Sequence, residues 1–184
     1  MDKMMLDLDI IQAATLADMT SCVNHYRMYT PGLFVCVHPQ VRLDGDTVLV
    51  PGLVAQVNSG KFKQCDAGSY QYFSGPPNFV FDVYREEQRL EIERRRRVFA
   101  SAGVIEYVLW NTTAQEPAWL RLGEGRLVEV PLVGGEVIES AALPGLRFPV
   151  DAFKERDWRS IMAATSNGIA RPAHRDFMAT VWEK

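Results

Sequence analysis

Asp82 stands inside the apolar run Phe79-Val80-Phe81-Asp82-Val83-Tyr84. A carboxylate in such a run is costly to bury unless a cation or several donors meet it. It is therefore either paired within the core or an element of a site, as a metal ligand or a source of field. Close behind come four consecutive arginines, Arg94-Arg95-Arg96-Arg97. If this stretch is a helix with Ile92 and Phe99 on its inward stripe, Arg95 and Arg96 fall three and four residues beyond Ile92, on the same face. One of them can then reach the end of the Asp82 strand, while Arg94 and Arg97 point into solvent. Cys22 and His25, with Cys36 and His38, offer four soft ligands. Their spacing suits closed tetrahedral zinc poorly, and Cys36 reads better as a small apolar strand residue. There is no Gly-x-Ser-x-Gly elbow, no phosphate-binding glycine loop and no clustering of the three histidines. Those gaps speak against most serine-hydrolase, kinase and dehydrogenase chemistries.

The elements that must position these residues come from periodicity and turn signals. Residues 10–28 carry a weak helical pattern, broken at Pro31-Gly32. Residues 33–38 and 41–43 are β-rich, and Asp44-Gly45-Asp46 predicts a hairpin into 47–50. Pro51-Gly52 interrupts the second strand before 53–57 resumes it, and 58–75 is a polar connection. Residues 78–84 form an almost continuous apolar strand, as expected of a sheet covered on both faces. A helix over 86–102, capped by Gly103, leads to a second apolar strand at 104–110. That order is a βαβ unit with parallel strands. Residues 118–122, 126–132 and 137–141 read as a meander, 150–164 as a last helix, and 165–184 as a polar, partly mobile tail. One α/β domain over 1–164 is the economical organisation.

Composition restricts the partners. The net charge is −3, so no global field draws the chain to nucleic acid, and any DNA contact must use a local basic patch. Three sparse cysteines, without a Cys-x-x-Cys pair, predict reduced thiols and a cytoplasmic location. The acids Asp2, Asp7 and Asp9 exclude a signal-peptide charge order, and no run reaches the roughly 18 apolar residues of a membrane span.

The run from Gly75-Pro76-Pro77-Asn78 through Asp82-Val83-Tyr84, followed by Ala102-Gly103-Val104-Ile105-Glu106-Tyr107, resembles the Uma2 (Uma-two) family of restriction endonucleases. These belong to the PD-(D/E)xK nuclease superfamily. Val48-Leu49-Val50-Pro51-Gly52-Leu53-Val54 is similar to the family's Val-apolar-x-Pro-Asp strand, and Leu143-Pro144-Gly145-Leu146 to its usual Leu-Pro-Gly-Leu. The resemblance spans roughly 33–153 and implies a restriction-endonuclease-like mixed central sheet flanked by helices.

It also implies a metal-dependent DNA endonuclease, in which acids on adjacent strands hold Mg²⁺ and a lysine orients the attacking water. Carried over position by position, the second acid falls on Asp82, the expected metal ligand. The lysine falls on Arg95, or on Arg96 if the helix register shifts by one. The first acid falls on Gly52, which has no side chain to ligate anything, and the Asp that follows the family's proline is Asn78. Gln56 and Asn58 share strand parity with Gly52 and could offer neutral oxygens. A degenerate active site follows, with catalysis impaired or absent. The alternative is a non-catalytic relative that binds nucleic acid or a protein. Pairing of two sites on two DNA strands further implies a homodimer.

Overall fold

The computed structural model describes residues 4–43, 47–67 and 71–181. A short strand β1 (Met4–Met5) precedes α1 (Ile10–Met28). Asp9 starts that helix: its carboxylate accepts from the Gln12 backbone N–H, and the Gln12 side chain accepts from the Asp9 N–H. Next come β2 (Leu33–Val37), β3 (Val41–Arg42), β4 (Val48–Val50), β5 (Leu53–Val57), β6 (Phe73–Ser74) and β7 (Phe79–Tyr84). A 3-10 turn at Glu86–Gln88 leads into α2 (Arg89–Ala102), which ends at Gly103 with φ 95°. That left-handed conformation costs glycine nothing and stops the helix where the sequence predicts.

The rest of the chain is β8 (Glu106–Asn111), β9 (Glu116–Gly123), β10 (Arg126–Glu129), β11 (Val137–Glu139), β12 (Arg147–Pro149), α3 (Val150–Glu155), α4 (Trp158–Ile169) and α5 (Pro172–Val181). The described residues form a six-stranded sheet in the order β10-β9-β8-β7-β5-β2. It is mixed: β7 and β8 run parallel, with Asp82 beside Leu109, and every other neighbour is antiparallel. The helix α2 makes the crossover between the two parallel strands, as the βαβ reading predicts.

Alternation along the central strands feeds two cores. Phe79, Phe81, Val83, Val108 and Trp110 face one way, into a cluster with α1 and the C-terminal helices. Val80, Tyr107 and Leu109 face the other way, where Ile92 and Phe99 of α2 cover them. This double coverage is why 78–84 is apolar at nearly every position.

Three details depart from the sequence reading, and a fourth lies partly outside the described residues. The hairpin strands β3 and β4 pair as expected, Val41 with Leu49, while the turn at 44–46 lies outside the described residues. Residues 137–139 do not continue the meander. β9 and β10 form a hairpin, Pro131 follows the last strand with no N–H to donate, and β11 pairs instead with β12. The predicted last helix is two helices, because Arg156 adopts φ 59° and Asp157 caps α4 through the Ser160 N–H at 3.1 Å. Finally, the stretch expected as a polar tail is helical as far as Val181. Its His174, Phe177 and Val181, at i, i+3 and i+7, are buried, the latter two in the first core cluster. Among the described residues, no helix is long and apolar enough to cross a membrane.

His174 ties α5 to α1. Its Nε2 lies 3.0 Å from the Thr30 hydroxyl, and its ring packs edge-on against Tyr26. Burial lowers its pKa below the usual 6.5, only partly offset by a hydrogen bond to the Ile169 backbone. The unfolded chain therefore takes up a proton on this ring at a pH where the folded chain does not. Stability from this group is complete above about 6.5 and is lost as pH falls through the lowered folded value. His174→Gln is expected to flatten that part of the acid limb in urea unfolding followed against pH. An unchanged difference between wild type and variant across that window would refute it.

Candidate functional site

Asp82 lies near the C-terminal end of β7, on the face that α2 covers, and is 1% exposed. Both of its oxygens are occupied. Oδ1 accepts from the Gly52 backbone N–H at 2.6 Å. Oδ2 accepts from the Tyr107 hydroxyl at 2.7 Å and from Arg95 Nη1 at 3.0 Å. The same Arg95 nitrogen lies 3.3 Å from the Val50 carbonyl, and Nε is 3.3 Å from Glu91 one turn earlier in α2. Arg95 itself has no solvent exposure.

Electrostatics follow from that enclosure. Burial works against the charge on Arg95, but the carboxylates of Asp82 and Glu91 outweigh it and the pKa is raised. Burial, with the Asp82 carboxylate next to it, pushes the Tyr107 phenol well above its ordinary value. Tyr107 is thus held as an O–H donor to Asp82. The cluster is a charge-assisted network whose members are each satisfied by the others.

The helical-stripe expectation is met by Arg95 and not by Arg96. Ile92, Arg95 and Phe99 are the buried residues of α2. Arg96 turns aside, and its Nε and Nη2 donate to the Leu127 carbonyl in β10 at 3.0 and 2.6 Å. Arg94 and Arg97 are exposed, as expected.

Gly52 stands where the resemblance places the first acid. A Cβ there would lie 3.4 Å from Asp82 Oδ1, so this position does face the second acid. The same Cβ would sit 3.0 Å from the Phe81 carbonyl and 3.2 Å from Leu16 of α1, so a side chain would need its neighbours to yield. Gln56 and Asn58 bond to each other at 3.0 Å, four and six residues along the chain from Gly52. At about 3.3 Å of rise per residue, Gln56 is about 13 Å from Gly52. They do not join Asp82. Asn78 is a structural staple: its Oδ1 accepts from the Val57 N–H at 2.8 Å, and its amide donates to the Phe62 carbonyl at 2.8 Å.

The soft-ligand set is not assembled either. Cys22 is buried beside Trp158 with its thiol pushed up to about 12 by burial and by Asp18, whereas His25 bonds Ser166 at 2.8 Å and His38 is exposed. Among the described residues, no three His, Cys, Asp or Glu side chains are grouped to hold a metal.

One acid carries more than its motif suggests. Glu106, fully buried in β8, accepts from Trp119 Nε1 at 3.0 Å, from Arg121 at 2.9 and 3.1 Å, and from the Ala141 and Ala142 N–H groups at 3.0 and 3.3 Å. The Ser140 hydroxyl also donates to it. It fastens the loop after β11 to the central sheet. The signal was the same as for Asp82, an acid in an apolar strand.

The mixed six-stranded sheet with a βαβ crossover and flanking helices has the architecture expected of a restriction-endonuclease-like α/β protein. Residues 11–151 match the sequence model of the Uma2 family, described as "Putative restriction endonuclease", and the chain belongs to that family. Its structure is similar to the crystal structure of "a putative nuclease belonging to DUF820" from Anabaena variabilis. The TM-score is 0.61 over 83% of this chain and 84% of that one, at 11% identity, so the likeness is one of fold. No curated protein matches the chain.

The buried pair makes a stability prediction. Arg95→Met alone strands a carboxylate in the core and is expected to cost about 3–5 kcal/mol in urea unfolding. Combined with Asp82→Leu, the loss should be far smaller than the sum of the two single losses. Additive losses would show that the two side chains do not interact.

Proposed function

We propose that this Uma2-family chain is a DNA-directed protein on a nuclease fold whose metal-dependent cleavage is impaired or absent. The observation that carries the reading is the occupancy of Asp82. Its two oxygens already take three donors, from Gly52, Tyr107 and Arg95, and the adjacent first-acid position is a glycine.

Mg²⁺ in a nuclease site takes hard oxygen ligands in octahedral geometry, with waters completing the shell. The residues around Asp82 do not fit that requirement. A metal there would have to displace a guanidinium that is itself buried, and would find one carboxylate where the family supplies two. Arg95 in the lysine position stays protonated, so it can clamp an anion but cannot take a proton from water. No step of hydrolysis is therefore assigned to this cluster; it holds α2 against the sheet.

The test is incubation of supercoiled plasmid with purified wild type and Asp82→Asn in millimolar Mg²⁺ or Mn²⁺, beside metal-free binding of a duplex oligonucleotide. The expected result is binding without nicking above the no-protein control. Metal-dependent nicking by wild type that Asp82→Asn abolishes would overturn the reading and establish a nuclease with a rearranged site. No binding to DNA would favour the alternative, a relative that recognises a protein.

A further inference from the structure

On the side of α2 turned away from Asp82, a cleft of about 380 Å³ separates the helix from the β9–β10 hairpin. Arg96, Arg97 and Ser101 of α2 form one wall, and Arg126 and Val128 of β10 form the other, with Glu93 also lining it. Arg96 bridges the two walls through its bonds to the Leu127 carbonyl and lies 3.8 Å from Glu93. The other two guanidiniums differ. Arg97 and Arg126 are exposed and make no hydrogen bond or ion pair among the described residues. Arg94, one turn from Arg97 on the same helix, is likewise exposed and unpaired. In a chain of net charge −3, three cleft guanidiniums therefore stand against one lining carboxylate.

Unpaired guanidiniums on two elements that converge on a concavity are suited to phosphate. Each offers a planar fork of donors that matches two phosphate oxygens. Arg94 and Arg97 are separated by about 5 Å along the helix axis, so the helix edge presents successive forks rather than one. The exposed Val128 gives the cleft an apolar patch beside them. An open cleft with a row of forks along its rim fits a continuous phosphodiester backbone better than an isolated small anion. Arg95 is on the buried face of α2 and pairs with Asp82, whereas Arg97 and Ser101 are on its exposed face, so the two sites are separate.

We propose that the cleft between α2 and the β9–β10 hairpin binds the phosphodiester backbone of DNA through Arg97 and Arg126, with Arg94 extending the contact. This rests on the DNA-directed reading above and adds where the strand is held, apart from the degenerate acid site. Among the described residues neither arginine has a partner to lose, so the variants should keep the fold, which circular dichroism checks.

The experiment is fluorescence anisotropy of a labelled DNA duplex, titrated at several salt concentrations with the full chain. Three proteins are compared: wild type, the double variant Arg97→Ala with Arg126→Ala, and a charge-matched double variant, Arg159→Ala with Arg175→Ala, at exposed arginines elsewhere. Loss of two phosphate contacts should weaken binding by about tenfold or more and lower the salt slope by about 2. The charge-matched control should bind within about twofold of wild type, the residual being long-range field. Equal weakening in both double variants would overturn the site while leaving the DNA-directed reading intact. Failure of the wild type to bind would overturn both. Calorimetric binding of inorganic phosphate, lost in the cleft variant, together with unaltered DNA affinity, would mark a small-anion site and also refute the proposal.

Discussion

A charge of each sign is buried between the central sheet and its crossover helix, and neither is tolerable there alone. Removing a carboxylate or a guanidinium from water costs several kcal/mol even after relaxation, and only close geometry with further donors repays it. Asp82 and Arg95 meet that condition through the 3.0 Å contact, the Tyr107 hydroxyl, the Gly52 N–H and the Val50 carbonyl. Four separate segments thereby become mutually dependent: the β4–β5 turn, β7, β8 and α2. The register of the helix on the sheet is a consequence. A shift by one residue would remove Arg95 from Asp82 and bring Arg96, now anchored to β10, into its place.

The same satisfaction bears on chemistry. A carboxylate whose lone pairs are taken by a backbone amide, a phenol and a guanidinium is a poor ligand, because a metal would have to break those bonds and take the buried carboxylate from Arg95. Gly52 contributes twice. It offers its N–H to the carboxylate, and its missing side chain leaves the space that Leu16 and the Phe81 carbonyl crowd. On the proposed reading, the Asp82–Arg95 ion pair stands where the family resemblance places a pair of metal-binding acids.

Away from this pair the architecture is held by similar means. Glu106 gathers the indole of Trp119, the Arg121 guanidinium and two backbone amides of the loop after β11. Two strands and a loop converge on one side chain. On the same face of the sheet, the aromatic group of Trp110, Trp119, Phe148 and Phe153 packs with edge-on and tilted contacts that bind β12 and α3 to the sheet. The cluster of α1 and α5 around Tyr26 and His174 closes that core.

Local patterns were enough for the elements nearest Asp82. The continuous apolar runs around Asp82 and Glu106, the helix between them and the glycine at its end specify a βαβ unit, since period and capping are properties of neighbouring residues. The stripe from Ile92 to Phe99 also narrowed the inward arginine to two. Choosing Arg95 over Arg96 required the sheet, because a helix face about 100° wide admits both and only the position of Asp82 and of the Leu127 carbonyl separates them. The tail differs from the sequence reading for a related reason: the three buried residues of α5 acquire their meaning from remote segments, Tyr26 and Thr30 beside His174, Phe62 against Phe177 and Ser59 at Val181. Likewise, a glycine at position 52 is visible in the sequence, but that it faces a fully bonded carboxylate depends on two strands brought together from 30 residues apart. Sequence determined which residues could carry charge into the core, and tertiary packing decided which charges meet, because pairing distance is set by segments remote in the chain.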